Sequence, residues 1–409
     1  MFRSPQNYRT FLIVIFTYTL DLVGYSIVFP VLAPLLLNPQ LHFFSPNTID
    51  TARTTILGLL FGVFGIAQFF GAPIAGALAD HWGRYKVFLL TIAMSVLGYI
   101  LMAISIYLNS LVWLFIGRIV TGFCSGNIAL AQSATADLTD EHQRSKAFGI
   151  LLSVGGLGFV IGPWIGGKLA NPTWVYGSGA FIFAAITAFI NLLAVFFFYV
   201  DAWKKKSHEQ TSLLKTFKDL RIVFHLKSLR IILSANLLFS IGWAFFLVFF
   251  PTYLVQKFAL GPEKIGDIYA YMALIWFFTA MFLNKELVGK FSLVSLILIG
   301  VLLAAIGVGI SLLPSTLWLF WIIIPVTLIG GALAWVNLGS ILSLSASEDM
   351  QGRALGAGGS MWSLGQILAP IAAGPLAGWN IHYPLLCGSL FLLSSFLYFI
   401  LRYKGKVGS

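Results

Sequence analysis

Charge is scarce in this chain. Of its 409 residues only 10% are charged against 59% hydrophobic, and acids are rarer still, with 14 Asp and Glu beside 25 Lys and Arg. Soluble domains carry about a quarter charged residues, so no fold surrounded by water could hide this much apolar surface. Cysteine is nearly missing: Cys124 and Cys387 each fall inside an apolar run, so a disulfide framework is not indicated. The histidines (His42, His81, His142, His208, His225 and His382) lie in loops or at the ends of apolar runs, which weakens any histidine relay. No nucleotide-binding loop, no metal-ligand spacing and no nucleophile–base pair rises above chance. An enzyme is therefore not expected, nor a bound cofactor.

Long apolar runs are what the chain does have. They predict twelve membrane-spanning helices near 10–37, 54–79, 87–107, 111–136, 146–169, 176–200, 229–256, 264–284, 291–313, 316–345, 353–377 and 383–402. The fold class is thus all-α and integral to a membrane. The 40 glycines and 37 phenylalanines suit helices packed closely in lipid, where small residues let backbones approach. The run from Phe11 continues through Leu37 with no small-residue cleavage site, so it reads as a first span rather than a signal peptide.

The net charge of +11 is arranged by side. With the N-terminus in the cytoplasm, twenty Lys and Arg fall on the inner face and four (Arg53, Lys168, Lys257, Lys264) on the outer. Such a bias sets topology, with both termini cytoplasmic, and leaves no reason to expect nucleic acid as a partner. Economy of loops points to a bacterial inner membrane, and a monomer is expected.

One long hydrophilic stretch, Asp201 to Ser228, divides the chain into halves at 1–200 and 229–409. Leu213 to Leu229 within this 201–228 linker spaces its cations helically and reads as an amphipathic helix on the inner leaflet. The halves echo each other. Lys146-Ala147-Phe148-Gly149 precedes Pro163 and Gly167, and Arg353-Ala354-Leu355-Gly356 precedes Pro370 and Gly374, at a constant offset of 207 residues. Two pseudo-symmetric six-helix bundles, with a substrate site between repeats, are the arrangement this predicts.

Two motifs are specific. Between the second and third spans, Gly76 and Asp80 lead to Gly83, Arg84 and Lys86, a tight turn with an acid and cations. In the fifth span Gly149, Gly158, Gly162, Pro163, Gly166 and Gly167 place small residues at four-residue intervals along one face, with a proline that breaks a hydrogen bond. The loop resembles the signature of the major facilitator superfamily, with His81 where that family usually has Arg. The fifth-span run resembles the motif of its twelve-span drug:proton antiporters. Asp21-Leu22-Val23-Gly24 followed by Pro30 resembles the first-helix pattern of tetracycline exporters, and Leu114, Arg118 and Gly122 their fourth-helix pattern, with Thr121 in place of glutamine. The resemblance implies that Asp80 docks on the start of the eleventh helix and that Arg84 pairs with Asp137, a clamp that is also a conformational switch.

Asp21 and Arg118 are the formal charges well inside predicted spans. Each costs roughly 2.5–3.5 kcal/mol to insert, so an unpaired pair would be wasteful. Asp21 lies about 16 Å from the inner face and Arg118 about 10 Å from the outer, and in a core of about 30 Å the two can meet. A low-polarity setting favours the neutral acid and a nearby guanidinium favours the carboxylate, so motion of one relative to the other couples a proton to conformation. A static ion pair that locks helix packing is the alternative. Around a central cavity the same resemblance places Tyr25, Gln68, Asn127, Gln132, Asn236, Trp243, Trp276, Asn337, Trp362 and Gln366, amides and aromatics suited to an amphipathic small molecule. The expected function is proton-driven efflux by alternating access. Uptake by proton symport would use the same pair, and a non-transporting receptor would have lost the loop motif.

Overall fold

In lipid the backbone has no hydrogen-bond partner but itself, so apolar runs of this length must become helices. The computed structural model describes residues 5–38, 43–45, 47–140, 143–171, 177–201, 226–347 and 350–403. In chain order its spans are Pro5–Ser26 with Phe29–Leu37, Asp50–Trp82, Arg84–Tyr107, Leu111–Cys124 with Asn127–Leu138, Arg144–Leu169 and Gly179–Phe198. Then follow Lys227–Phe258, Pro262–Phe278 with Asn284–Val288, Leu293–Ile310, Phe320–Leu344, Gln351–Trp379 and Tyr383–Arg402. Eleven of these are long and apolar enough to cross a membrane. The other, Gln351–Trp379, has 29 residues, about 43 Å at 1.5 Å per residue. It lacks no length; its glycines dilute its apolar character.

Three spans are interrupted where periodicity predicts continuous helices. The first breaks at Ile27-Val28, because Pro30 has no N–H to return to the carbonyl four residues back. The fourth breaks at Ser125-Gly126, where a Cβ on Gly126 would stand 3.0 Å from both Ala72 Cα and Ala75 Cβ of the second span. The eighth widens into a π-turn over Thr279–Leu283. The linker helix expected over Leu213 to Leu229 lies largely outside the described residues, as does the start of the sixth span at 176.

By contact the chain forms two compact units. One comprises Met1–Pro46, Ile66–Leu213 and Gly261–Ala273, and the other Asn47–Gly65, Leu214–Leu260 and Leu274–Ser409. Each therefore takes a short segment from the other half of the sequence. Glycine explains why.

In the first unit the fifth span has two bare faces. On one, side chains at Gly158, Gly162 and Gly166 would come within 2.7 Å of the carbonyl oxygens of Thr19, Val23 and Ile27 in the first span. Ser26 Oγ completes that contact by donating to the Gly158 carbonyl at 3.2 Å. On the other face, a Cβ on Gly167 would stand 2.9 Å from Gly266 Cα of the eighth span, and one on Gly266 would stand 3.0 Å from Gly167 Cα. Lys168 donates to Glu263 Oε1 at 2.9 Å at the end of this seam and lies over the Trp164 ring.

In the second unit the eleventh span repeats the plan 207 residues on. Gly365 lies against Ser240 of the seventh span, as Gly158 lies against the first. Gly374 lies against Thr54 and Thr55 of the second span, with 2.8 Å between an added Cβ and Thr55 Cα, as Gly167 lies against the eighth. The repeated sequence is thus a repeated pair of helix contacts. Lipid supplies no hydrophobic drive between helices, so close backbone approach and dispersion hold them together.

The seams predict sharply different costs at different glycines. Gly167→Val and Gly374→Val should each lower stability by about 1–3 kcal/mol, because the obstructing atoms are backbone and cannot give way. Gly149→Ala, at a position with no heavy atom within 4 Å of an added Cβ, should be neutral or slightly stabilising. Thermal unfolding of the purified protein in detergent checks all three.

Candidate functional site

The first, third and fourth spans meet at a junction made by small residues. Gly98 and Gly117 touch across the third and fourth spans, since a Cβ on Gly117 would stand 2.8 Å from the Gly98 carbonyl oxygen. Their chain neighbours are Tyr99 and Arg118, which this contact therefore brings to one level. Tyr99 then reaches the first span, where its hydroxyl and ring lie against the bare Cα of Gly24. Gly24 is three residues beyond Asp21, on the same side of the helix.

Polar groups collect around this junction. Arg118 is 3% exposed, with Tyr25 and Tyr99 as its electrostatic neighbours. Tyr99 feels the charges of both Asp21 and Arg118. Asp21 is half-buried and faces Asn127, yet Asp21 Oδ2 and Asn127 Nδ2 are both buried without a hydrogen-bond partner. Asp21 Oδ2, buried without a hydrogen-bond partner, is not paired with Arg118. Tyr99 of the third span lies against the first at Gly24.

Neutral polar ties hold the surrounding helices. Thr91 Oγ1 donates to Asn127 Oδ1 at 2.5 Å, joining the third and fourth spans, and Thr17 Oγ1 donates to Asn191 Oδ1 at 2.8 Å, joining the first and sixth. Tyr18 of the first span faces Gln132 of the fourth. Tyr25 packs edge-on against Phe29 and Phe159. Gln68 is half-buried.

The candidates in the second unit are mostly taken up by packing. Trp243 is 2% exposed, stacked on Phe239, close to Trp276 and pressed against Gly331. Asn337 is wholly buried and donates to Asn284 Oδ1 at 2.7 Å, a tie beside the π-turn of the eighth span. Asn236 donates to the Gly358 carbonyl at 3.3 Å, and Trp362 lies 4.4 Å from Trp335. Gln366 is buried with its Nε2 unpartnered. An amide in a span finds helical neighbours more readily than an open wall, which is why composition alone overstates a cavity lining.

At the loop between the second and third spans, Gly83 has φ 90°, a left-handed conformation that a side chain would strain. The turn it makes aims Arg84 inward. Arg84 Nη1 donates to Asp80 Oδ1 at 2.8 Å and Nε donates to Asp137 Oδ2 at 3.3 Å, so one guanidinium spans both acids. Arg84 is buried while Asp80 stays largely exposed. Gly76, by contrast, has open space around its Cα. His81 is exposed beside this cluster.

Sequence reasoning did not identify Tyr99, Tyr18, Thr91 or Asn191. A glycine beside a tyrosine within an apolar run, as at Gly98-Tyr99, was the available signal, because a bare helix face implies a neighbour close enough to be touched.

Known proteins share this fold. The sequence pattern of the Major Facilitator Superfamily matches residues 14–370, with a second match over 235–408. The tetracycline resistance protein, class H, of Pasteurella multocida is 28% identical over 96% of this chain and 94% of its own length. Multidrug resistance protein 2 of Bacillus subtilis (strain 168) is 26% identical over 81% of this chain and 82% of its own. The crystal structure of a D-xylose-proton symporter superposes with a TM-score of 0.79 over 98% of this chain and 99% of its own, at 14% identity, which is likeness of fold.

The Arg84 bridge carries a prediction. Arg84→Lys keeps the charge but loses the fork that reaches two carboxylates, and should cost on the order of 1 kcal/mol after allowance for the exposed Asp80. A double-mutant cycle with Asp137→Asn, read by thermal unfolding, should show coupling with Arg84→Ala and also, at most as large, with Arg84→Lys.

Proposed function

The chain belongs to the Major Facilitator Superfamily, and from that premise we propose that it is a secondary active transporter that exports a small amphipathic organic compound in exchange for protons. The observation that supports this reading most directly is the contact of the fifth-span glycines with the first span. Gly158, Gly162 and Gly166 lie along the backbone from Thr19 to Ile27, the stretch that carries Asp21. A shift of the fifth span is therefore a shift of the acid's own helix. Because that span also meets the eighth through Gly167 and Gly266, motion at one face is felt at the other.

Asp21 is the proton carrier in this mechanism. Its carboxyl is half-buried with one oxygen unpartnered, ready to accept a proton or a hydrogen bond. Proton affinity follows surroundings, so a change in the neighbourhood of Arg118 and Asn127 through the cycle loads the proton on one side and releases it on the other. The driving force is the proton gradient, and no bound cofactor is needed. The relatives named for tetracycline and multidrug resistance make a tetracycline the first probe. A bacterial inner membrane and a monomeric state go with this reading, and the distribution of Lys and Arg supports both termini in the cytoplasm.

Proteoliposomes with an imposed pH gradient, tetracycline and an interior pH dye test the proposal. The expected result is proton flow opposite to the drug, with gradient-driven transport reduced about a hundredfold or more in Asp21→Asn, as loss of an essential acid–base group implies, while downhill exchange persists. Full gradient-driven transport by Asp21→Asn would remove Asp21 from the mechanism, and proton flow in the same direction as the drug would make the protein a symporter.

A further inference from the structure

We propose that Asp201 is a positioning residue of the loop clamp: its carboxylate caps the helix that begins at Arg84 and so holds that guanidinium between Asp80 and Asp137. Asp201 is also where the hydrophilic 201–228 stretch begins, so that stretch starts from inside the clamp. This role does not depend on Asp21.

The need for a distant cap comes from the turn itself. A left-handed φ of 90° asks for glycine at position 83. Glycine, however, carries no side chain to receive the free N–H groups of the first helical turn. The helix Arg84–Tyr107 accordingly starts without a side-chain cap from Gly83. Asp201 supplies one from the end of the sixth span, where its Oδ2 accepts from Tyr85 N–H at 3.1 Å. Tyr85 ties the same two spans twice more. Its hydroxyl donates to the Phe196 carbonyl at 3.3 Å, and its ring stacks on Tyr199 with centroids 6.2 Å apart. The end of the sixth span is thus fixed against the start of the third.

Arg84 is the first residue of that helix, one position before the capped N–H. It is buried, and its side chain holds Asp80 of the second span at 2.8 Å and Asp137 of the fourth at 3.3 Å. An uncapped first turn frays, and fraying here would swing the Arg84 Cα on which both ion pairs hang. A carboxylate suits the place, because the helix N-terminus carries partial positive charge. The second, third, fourth and sixth spans therefore share one turn, with the acid at the head of the hydrophilic stretch among its holders. A rearrangement that opens the clamp also moves the point where that stretch begins.

The first test needs no substrate. Thermal unfolding gives the coupling of Arg84→Ala with Asp137→Asn, and the cycle is repeated in the Asp201→Ala background. Coupling should fall by about half or more in Asp201→Ala and largely persist in Asp201→Asn, which keeps an oxygen to accept from Tyr85 N–H. A cap that merely stabilised the helix would lower the melting temperature and leave the coupling unchanged, and that result overturns the proposal. Hydrogen exchange of the unaltered protein, resolved to single amides, gives a second decision. Tyr85 N–H should exchange about tenfold or more slowly than an unbonded first-turn amide, and exchange at the unbonded rate overturns the proposal as well. In tetracycline transport Asp201→Ala should lower turnover, leave KM unchanged and add no further loss to Arg84→Ala. Losses that multiply would place Asp201 outside the clamp. If the unaltered protein moves no tetracycline, the transport reading fails for that drug, and the coupling still decides the role of Asp201.

Discussion

Everything in the first unit depends on two helix backbones being allowed to touch. The fifth span lies so close to the first that its glycine positions face carbonyl oxygens rather than side chains. A helix flanked by ordinary side chains keeps its neighbour about 8–10 Å away, axis to axis. Bare glycine faces remove that spacing, and what was a fluid array of apolar rods becomes a register in which one helix cannot slide without carrying the other. The acid at position 21 sits within the gripped stretch, so the packing constraint and the chemistry share one piece of backbone.

The second unit repeats the constraint without the chemistry. Gly365 meets Ser240 and Gly374 meets the second span in the places where Gly158 and Gly167 act in the first unit. At the position corresponding to the acid, the seventh span has Phe239, buried and stacked on Trp243. Its amides, Asn236 and Asn337, are engaged with neighbouring helices. A duplicated scaffold has thus diverged: one copy holds ionisable groups at a junction, and the other holds aromatic packing and neutral ties. That division makes mechanical sense, because a charge is costly at this depth.

Much of this was legible in the residues. The apolar spans and a duplicated fifth and eleventh helix follow from hydropathy and a fixed offset, because span length and helical form are imposed locally by the bilayer. The loop turn was also readable, since Gly83 and the acid–cation spacing around Arg84 are close in sequence. The candidate site was legible only in part. Asp21 and Arg118 stood out as charges in apolar runs, and depth arithmetic put them level, but depth is one coordinate. Tyr99 came from a third helix that no count along the chain could place against Gly24. Trp243 and Asn337 had the residue types of a cavity wall and were drawn into helix packing instead.

The order of residues alone determined the membrane class, the number and length of the helices and the faces left bare by glycine, because these depend on local periodicity and on a solvent that forbids unsatisfied backbone. The tertiary structure decided which helix each bare face would meet and which side chains would surround the acid. A small-residue stripe fits many partners equally well in isolation. Only the simultaneous packing of several helices selects one neighbour for each face, and with it the surroundings of the acid.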